Sequence, residues 1–130
     1  MAGRSMTEDT LLYRQVHPSW VQQGRVTSQA FRPTPKDQKK LSGYDGDQIT
    51  AVKAWEHYTT VLNFSSAGVL AVSNGECQSV NVSVQADPAP FPEHVLIDFT
   101  PFSENEIERK AKQLRAFADV RGWQYKAERK

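Results

Sequence analysis

The segment from Ser103 to Gly122 carries the strongest structural signal in the sequence. Its apolar residues recur at spacings of three and four, which predicts a helix with a single apolar stripe. Ser103 and Glu106 have the spacing of a capping box, and Gly122 is well placed to end the helix. A helix with one apolar face packs that face on a second layer, and the rest of the chain has to supply that layer.

A second helix is predicted over residues 47–62, where apolar residues again follow a 3.6-residue period. Asp45 or Asp47 is the expected N-cap, because a short carboxylate accepts a hydrogen bond from a free N–H of the first turn. The sequence NFSS that follows Leu62 is expected to end the helix.

Short apolar or alternating segments between the helices predict strands, at residues 10–17, 26–31, 67–73, 81–86 and 94–99. Residues 32–46 are predicted to be a long loop, and the proline-rich residues 87–93 an irregular segment. The order of elements predicts the α+β class: a mixed, mostly antiparallel sheet of about five strands with two amphipathic helices on one face. Residues 9–130 are expected to form this single domain, after a disordered or vector-derived tail at residues 1–8.

Composition excludes several classes of function. The 130 residues include 16 basic and 15 acidic side chains, so a nucleic-acid partner is disfavoured for lack of a basic surplus. The single cysteine, Cys77, and the absence of a long apolar run favour a cytoplasmic protein without a membrane partner. Neither a metal site nor a cofactor is expected, because the sequence has no CxxC, HExxH, GxGxxG or P-loop motif.

Four residues are the candidates for catalysis: Arg14, His17, Ser28 and His94. Arginine can hold a phosphate through two parallel hydrogen bonds, and histidine can move a proton near neutral pH. Arg14 and His17 are three apart on a predicted strand and point to opposite faces, which makes a joint role awkward. The alternative for Arg14 is a structural ion pair, with Asp98 or Glu56 as its partner.

Three aromatic residues are the candidates for binding a partner: Trp20, Phe31 and Phe91. Phe91 lies among prolines that reduce the entropy lost on ordering, so it suits the role of an apolar anchor. Since no strong catalytic motif is present, the first hypothesis is a binding or accessory module rather than an enzyme. Its expected partner is another protein or a second copy of the chain.

Two resemblances bear on function. The pattern YRQVHPSW, GRVTSQAFRPTPKD and DPAPFPEHVLIDF resembles a group of small bacterial proteins, and this resemblance implies no reaction. Small proteins of this kind accompany toxins and defence proteins, which places the accessory role in such a system. An arginine on one strand and a serine on the next loosely resemble enzymes of the ADP-ribosyltransferase type. That resemblance implies a nicotinamide dinucleotide bound in a cleft beside the sheet, and it provides the alternative: a nucleotide- or RNA-directed enzyme using Arg14, His17, Ser28 and His94.

Overall fold

The computed structural model of the protein describes residues 6–33 and 38–127. A six-stranded sheet is formed by β1 (Leu11–Val16), β4 (Lys40–Asp45), β5 (Gly68–Ser73), β6 (Ser83–Ala86), β7 (His94–Asp98) and β8 (Tyr125–Lys126). A separate hairpin consists of β2 (Val21–Gln22) and β3 (Arg25–Val26). The helices are α1 (Ala51–Glu56), which continues as a π-helical segment (His57–Val61), α2 (Asn74–Ser79) and α3 (Glu104–Arg121).

The predicted α+β class is confirmed. Within the described residues the order of the large sheet is β6-β7-β4-β1-β5-β8, and its five pairings are all antiparallel. The strands predicted at 10–17, 67–73, 81–86 and 94–99 are β1, β5, β6 and β7, with β6 at an edge. The capping box of α3 is present in both directions, and Gly122 ends that helix at a φ of 85°.

The strand predicted over residues 26–31 is wrong. Gln23 and Gly24 both have positive φ, which makes the tight turn that joins β2 to β3 and pairs Val21 with Val26. The chain then forms a 3-10 turn over Ser28–Phe31. Ser28 is therefore not on a strand beside Arg14.

The loop predicted over residues 32–46 is also wrong for its second half, while residues 34–37 lie outside the described residues. Lys40–Asp45 form β4, a central strand between β1 and β7. Leu41 and Tyr44 are buried in the two different apolar clusters of the protein. A Cβ on Gly43 would lie 3.0 Å from the carbonyl oxygen of Tyr13, so glycine allows β4 to approach β1 closely.

The two longer helices lie on opposite faces of the sheet, which corrects the prediction that they share one. Ile107, Ala111, Leu114 and Ala118 of α3 pack with the β1 face that carries Leu12 and Val16. Ala51 and Ala54 of α1 pack with the other face, where Tyr13, Tyr44, Val69 and Ala71 lie. The physical reason is that β1 and β5 are apolar on both faces, so both faces need cover.

The helix N-caps are provided by hydroxyl side chains. Thr50 caps α1 by accepting a hydrogen bond from the Lys53 N–H at 3.3 Å, in place of the predicted Asp45 or Asp47. Asp45 instead stabilises the preceding turn, where it accepts from the Asp47 N–H at 2.9 Å.

The start of the chain contacts the domain as far as it is described. Residues 1–5 of the predicted tail lie outside the described residues. Met6 packs against the core, and the Glu8 carbonyl accepts from the Gly75 N–H at 2.9 Å. Across the described ranges, none of the helices has the length and apolar character needed to cross a membrane.

Candidate functional site

The pairing between β1 and β4 is short, and the side chain of an arginine connects the two strands beyond the point where the pairing ends. Between β1 and β4, Leu12 pairs with Asp45 and Tyr13 pairs with Tyr44. In contrast, β1 pairs with β5 along its full length. Beyond Tyr13, the Arg14 guanidinium donates from Nη1 to the Ser42 carbonyl at 2.9 Å and from Nε to the Ala30 carbonyl at 2.7 Å. Arg14 thereby joins β1 to β4 and to the 3-10 turn.

A cleft of about 380 Å³ opens at this end of the β1–β4 pair. Its volume lies within the range of small-molecule sites. Strands β1 and β4 form its floor, and the π-helical segment and the proline-rich loop form its sides. Its lining combines polar and aromatic side chains, chiefly Arg14, Ser42, His94, Trp20, Tyr44, Tyr58, Phe64 and Phe91.

Phe91 forms one wall of the cleft and contacts three other rings. Its centroid lies 5.0 Å from that of Tyr44, 4.6 Å from His57 and 5.0 Å from His94. The Tyr44 hydroxyl and His57 Nδ1 are 2.8 Å apart, which ties the ring cluster to the π-helical segment. The proline-rich segment, predicted to be irregular, is thus fixed to the sheet through Phe91.

The electrostatics of the cleft combine one guanidinium with protonated phenols. Burial raises the pKa of Tyr44, and nearby Tyr58 and Glu93 raise it further. Burial also raises the pKa of Tyr58, although the positive charge of Arg14 acts in the opposite direction. Both phenols therefore stay protonated at neutral pH. The Tyr44 hydroxyl already contacts His57, so the Tyr58 hydroxyl and the positive charge of Arg14 are the groups that suit a ligand with acceptor atoms.

Ser42, His94 and Asp87 are linked in series at the same place. His94 Nε2 lies 3.1 Å from Ser42 Oγ. On the other side of the ring, Nδ1 lies 3.0 Å from the Asp87 carbonyl oxygen and 3.2 Å from its carboxylate Oδ2. The His94 residue is 7% exposed, so its ring is held on both sides within the wall of the cleft.

The structure brings together four of the residues predicted from the sequence. Arg14 and His94, from the catalytic candidates, and Trp20 and Phe91, from the binding candidates, all line the cleft. The Arg14 guanidinium carbon lies 5.7 Å from the centre of the Trp20 ring, within the range of a cation–π contact.

The other three predicted residues do not line the cleft. His17 is exposed and caps the 3-10 turn at Pro18–Trp20, where its Nδ1 accepts from the Ser19 N–H at 3.1 Å. Ser28 lines a separate shallow pocket with Arg25, Lys112 and Arg115. Phe31 is 0% exposed and belongs to the core. Their local roles, as a cap, a turn residue and a core residue, account for these positions.

Ser42, Tyr44 and Tyr58 are site residues that the sequence analysis missed. Ser42 and Tyr44 fall in the segment predicted to be a loop, where neither had a place in the sheet. Tyr58 falls within the helix predicted over residues 47–62, where it fits the apolar period, and in the structure it lines the cleft. Leu41 and Tyr44 are three residues apart and do not show the period of two that marks a strand, so no local signal separated this segment from a loop.

The comparisons with known proteins assign no family to the chain. No protein family model matches it, and no curated protein or solved structure is detectably similar to it. Within residues 6–33 and 38–127, no group of three His, Cys, Asp or Glu side chains is arranged to hold a metal ion.

Proposed function

We propose that the cleft binds a nucleotide and that the protein acts on nicotinamide dinucleotide as an enzyme of the ADP-ribosyltransferase type. The observation that carries this proposal is the Arg14 guanidinium held between β1 and β4 inside an aromatic cleft. A nucleotide offers the two groups that such a cleft recognises, a flat base and a phosphate.

The aromatic side chains provide surfaces for the base. Trp20, Tyr58 and Phe91 come from three different segments of the chain and face one space. Stacking of a base on an aromatic side chain contributes about 1–3 kcal/mol. The protonated Tyr58 phenol adds a hydrogen-bond donor for the ring substituents or the ribose.

Arg14 provides the positive charge for the phosphate. Its backbone contacts hold the guanidinium in a fixed orientation, so little side-chain entropy is lost when an anion binds. The loose resemblance to ADP-ribosyltransferase-type enzymes, which implies a dinucleotide in a cleft beside the sheet, rested on a serine on the strand next to Arg14. Ser28 is not on that strand, whereas Ser42 lies on β4, the neighbour of β1. In this form of the hypothesis Arg14 holds the phosphate and His94 moves a proton, as predicted from the sequence. Ser42 replaces Ser28 among the candidate residues.

Isothermal titration calorimetry with nicotinamide adenine dinucleotide and with ADP-ribose tests this function. We expect saturable binding that Arg14→Lys weakens by about tenfold or more, because lysine keeps the charge but cannot make the two contacts to the Ala30 and Ser42 carbonyls that fix the position of that charge. Arg32→Lys is the matched control, since Arg32 pairs with Glu104 and Glu108 of α3 at 3.7 Å and 3.3 Å and does not line the cleft. An absence of binding at millimolar ligand, or an equal loss in both variants, would contradict the proposal.

A second candidate, partner binding, rests on the apolar rim of the cleft. Val61, at the end of the π-helical segment, is 63% exposed, and Phe64, which lines the cleft three residues later, is 56% exposed. Large exposed apolar side chains grouped at one place indicate an interaction surface. The partner we propose is a second copy of the chain; the accessory role in a toxin or defence system stays a prediction.

Light scattering after gel filtration tests self-association through this rim. We expect a concentration-dependent increase in mass for the native chain and a monomer for Val61→Ser with Phe64→Ser. Val120→Ser is the control, because Val120 is 91% exposed on α3. A monomer at every concentration of the native chain would refute this candidate.

A further inference from the structure

We propose that Ser42 is a nucleophile that cleaves carboxylic esters in the cleft, with His94 as its general base and Asp87 as the residue that positions His94. This activity goes beyond nucleotide binding and does not depend on it. The three side chains form one series of contacts, at 3.1 Å from Ser42 Oγ to His94 Nε2 and 3.2 Å from His94 Nδ1 to Asp87 Oδ2. Both distances lie within the reach that an activated serine requires.

The contacts of His94 determine which of its nitrogens carries the proton. Both Asp87 atoms beside Nδ1, the carbonyl oxygen at 3.0 Å and the carboxylate oxygen at 3.2 Å, are acceptors. In the neutral ring the hydrogen is therefore on Nδ1, and the lone pair of Nε2 faces the Ser42 hydroxyl. This is the tautomer that a general base for serine needs.

The backbone keeps Asp87 in register with His94. The Asp87 N–H donates to the His94 carbonyl at 2.9 Å, and the His94 N–H donates to the Phe91 carbonyl at 3.1 Å. The proline-rich loop between them is closed at its base by these bonds. These backbone bonds therefore hold Asp87 next to His94 and support the orientation of the imidazole ring.

Ser42 itself is accessible, and a positive charge lies beside it. The serine is exposed on β4 and lines the cleft, while the Arg14 guanidinium contacts its carbonyl at 2.9 Å. Positive charge close to the nucleophile stabilises the negative oxygen that forms when an ester carbonyl is attacked. The aromatic walls offer apolar surface for an acyl group.

The reaction balances with water as the co-reactant. Ser42 Oγ forms a bond to the ester carbonyl carbon as its proton moves to His94 Nε2. The carbon–oxygen bond to the leaving alcohol then breaks, and the alcohol takes that proton. Water attacks the acyl-serine and gives a proton to His94, and the proton returns to Ser42 Oγ as the acid leaves. Each turnover converts one ester and one water into an acid and an alcohol.

Labelling with a fluorophosphonate, which forms a stable bond to activated serines, tests the proposal. We expect one label per chain on Ser42, seen by intact mass and peptide mapping, and no label on Ser42→Ala. The labelling rate should fall by at least about 100-fold in His94→Gln and by about tenfold in Asp87→Asn, since each change removes part of the activation of the serine. Ser83→Ala is the matched control, because Ser83 is exposed on β6, on the same face of the same sheet.

Each outcome has a distinct meaning. An unlabelled native chain, or equal labelling of the native chain and Ser42→Ala, would overturn the nucleophile. Slow labelling of His94→Gln supports the proposal only if the thermal unfolding of that variant remains cooperative. Ser42→Ala changes an exposed residue, so it tests the nucleophile independently of His94→Gln. Nucleotide titration and fluorophosphonate labelling of the native chain separate the two proposals, because nucleotide binding without labelling overturns the nucleophile and leaves the nucleotide function intact.

Discussion

Glu76 connects two helices, and its replacement by glutamine is a quantitative test of the packing. The carboxylate accepts from the Ser73 N–H at 2.8 Å in the capping box of α2, and from Arg121 Nη1 and Nη2 at 2.7 Å and 3.0 Å at the end of α3. Glutamine keeps one acceptor oxygen and places an NH₂ group against the guanidinium. The variant therefore loses at least one charged hydrogen bond, which contributes about 1.5–3 kcal/mol.

The burial of the pair sets the expected size of the effect. The side chains of Glu76 and Arg121 are 22% and 27% exposed, so solvent screens the interaction only in part. We expect Glu76→Gln to lower the free energy of unfolding by about 2 kcal/mol at neutral pH, which lowers the Tm by roughly 6–10 °C for a chain of this size. Glu108→Gln, at a pair whose side chains are 48% and 40% exposed, should lower the free energy of unfolding by about 1 kcal/mol or less.

The pH dependence of this difference provides a second test. Burial of Glu76 acts to raise its pKa, but the hydrogen bonds from Arg121 and Ser73 outweigh it and hold the pKa below the ordinary value of 4.5. The stabilisation is thus complete above the ordinary value and is lost as the pH falls through the lower pKa of the folded state. Urea unfolding at neutral pH and below about pH 3 measures it. A difference that is equally large in acid, or no larger at neutral pH than that of Glu108→Gln, would refute the reasoning.

Two further predictions follow from buried positions. Burial raises the pKa of Cys77 to about 12, and the charge of Glu76 contributes to this shift. The thiol should therefore react with a disulfide reagent about 100-fold more slowly in the native protein than in denaturant. Equal rates in an absorbance assay would contradict this prediction. A Cβ at Gly68 would lie 2.5 Å from the Tyr125 carbonyl oxygen and 2.8 Å from the Trp123 ring. Gly68→Ala should therefore destabilise the protein by about 1–3 kcal/mol in urea unfolding, and unchanged stability would show that β8 does not pack as described.

Local patterns in the sequence were sufficient to predict most of the elements. The apolar runs of β5 and β7 and the caps of α3 each act within a few neighbouring residues, so they can be interpreted without the fold. Strand β4 was missed because Ser42, Gly43 and Asp45 are typical turn residues. Its strand conformation depends on the neighbours β1 and β7, which are far away in the sequence.

The candidate site was predicted only in part, for the same reason. Arg14 and His94 stood out by residue type, but their common contact is Ser42, which is 28 and 52 residues away from them. The strand order β7-β4-β1 brings the three together, and no local signal specifies that order. Ser28, chosen because it was predicted to lie on the strand after that of Arg14, lies instead beside Lys112 and Arg115 of α3.

Amide chemical-shift mapping with nicotinamide adenine dinucleotide tests most directly whether the β1–β4 cleft is the ligand site. We predict that shifts on titration concentrate at the amides of Arg14, of Ser42–Tyr44 and of Phe91, Glu93 and His94, in the segments that surround the guanidinium. Shifts confined to Ser28, Lys112 and Arg115, or no shifts at millimolar ligand, would contradict the account.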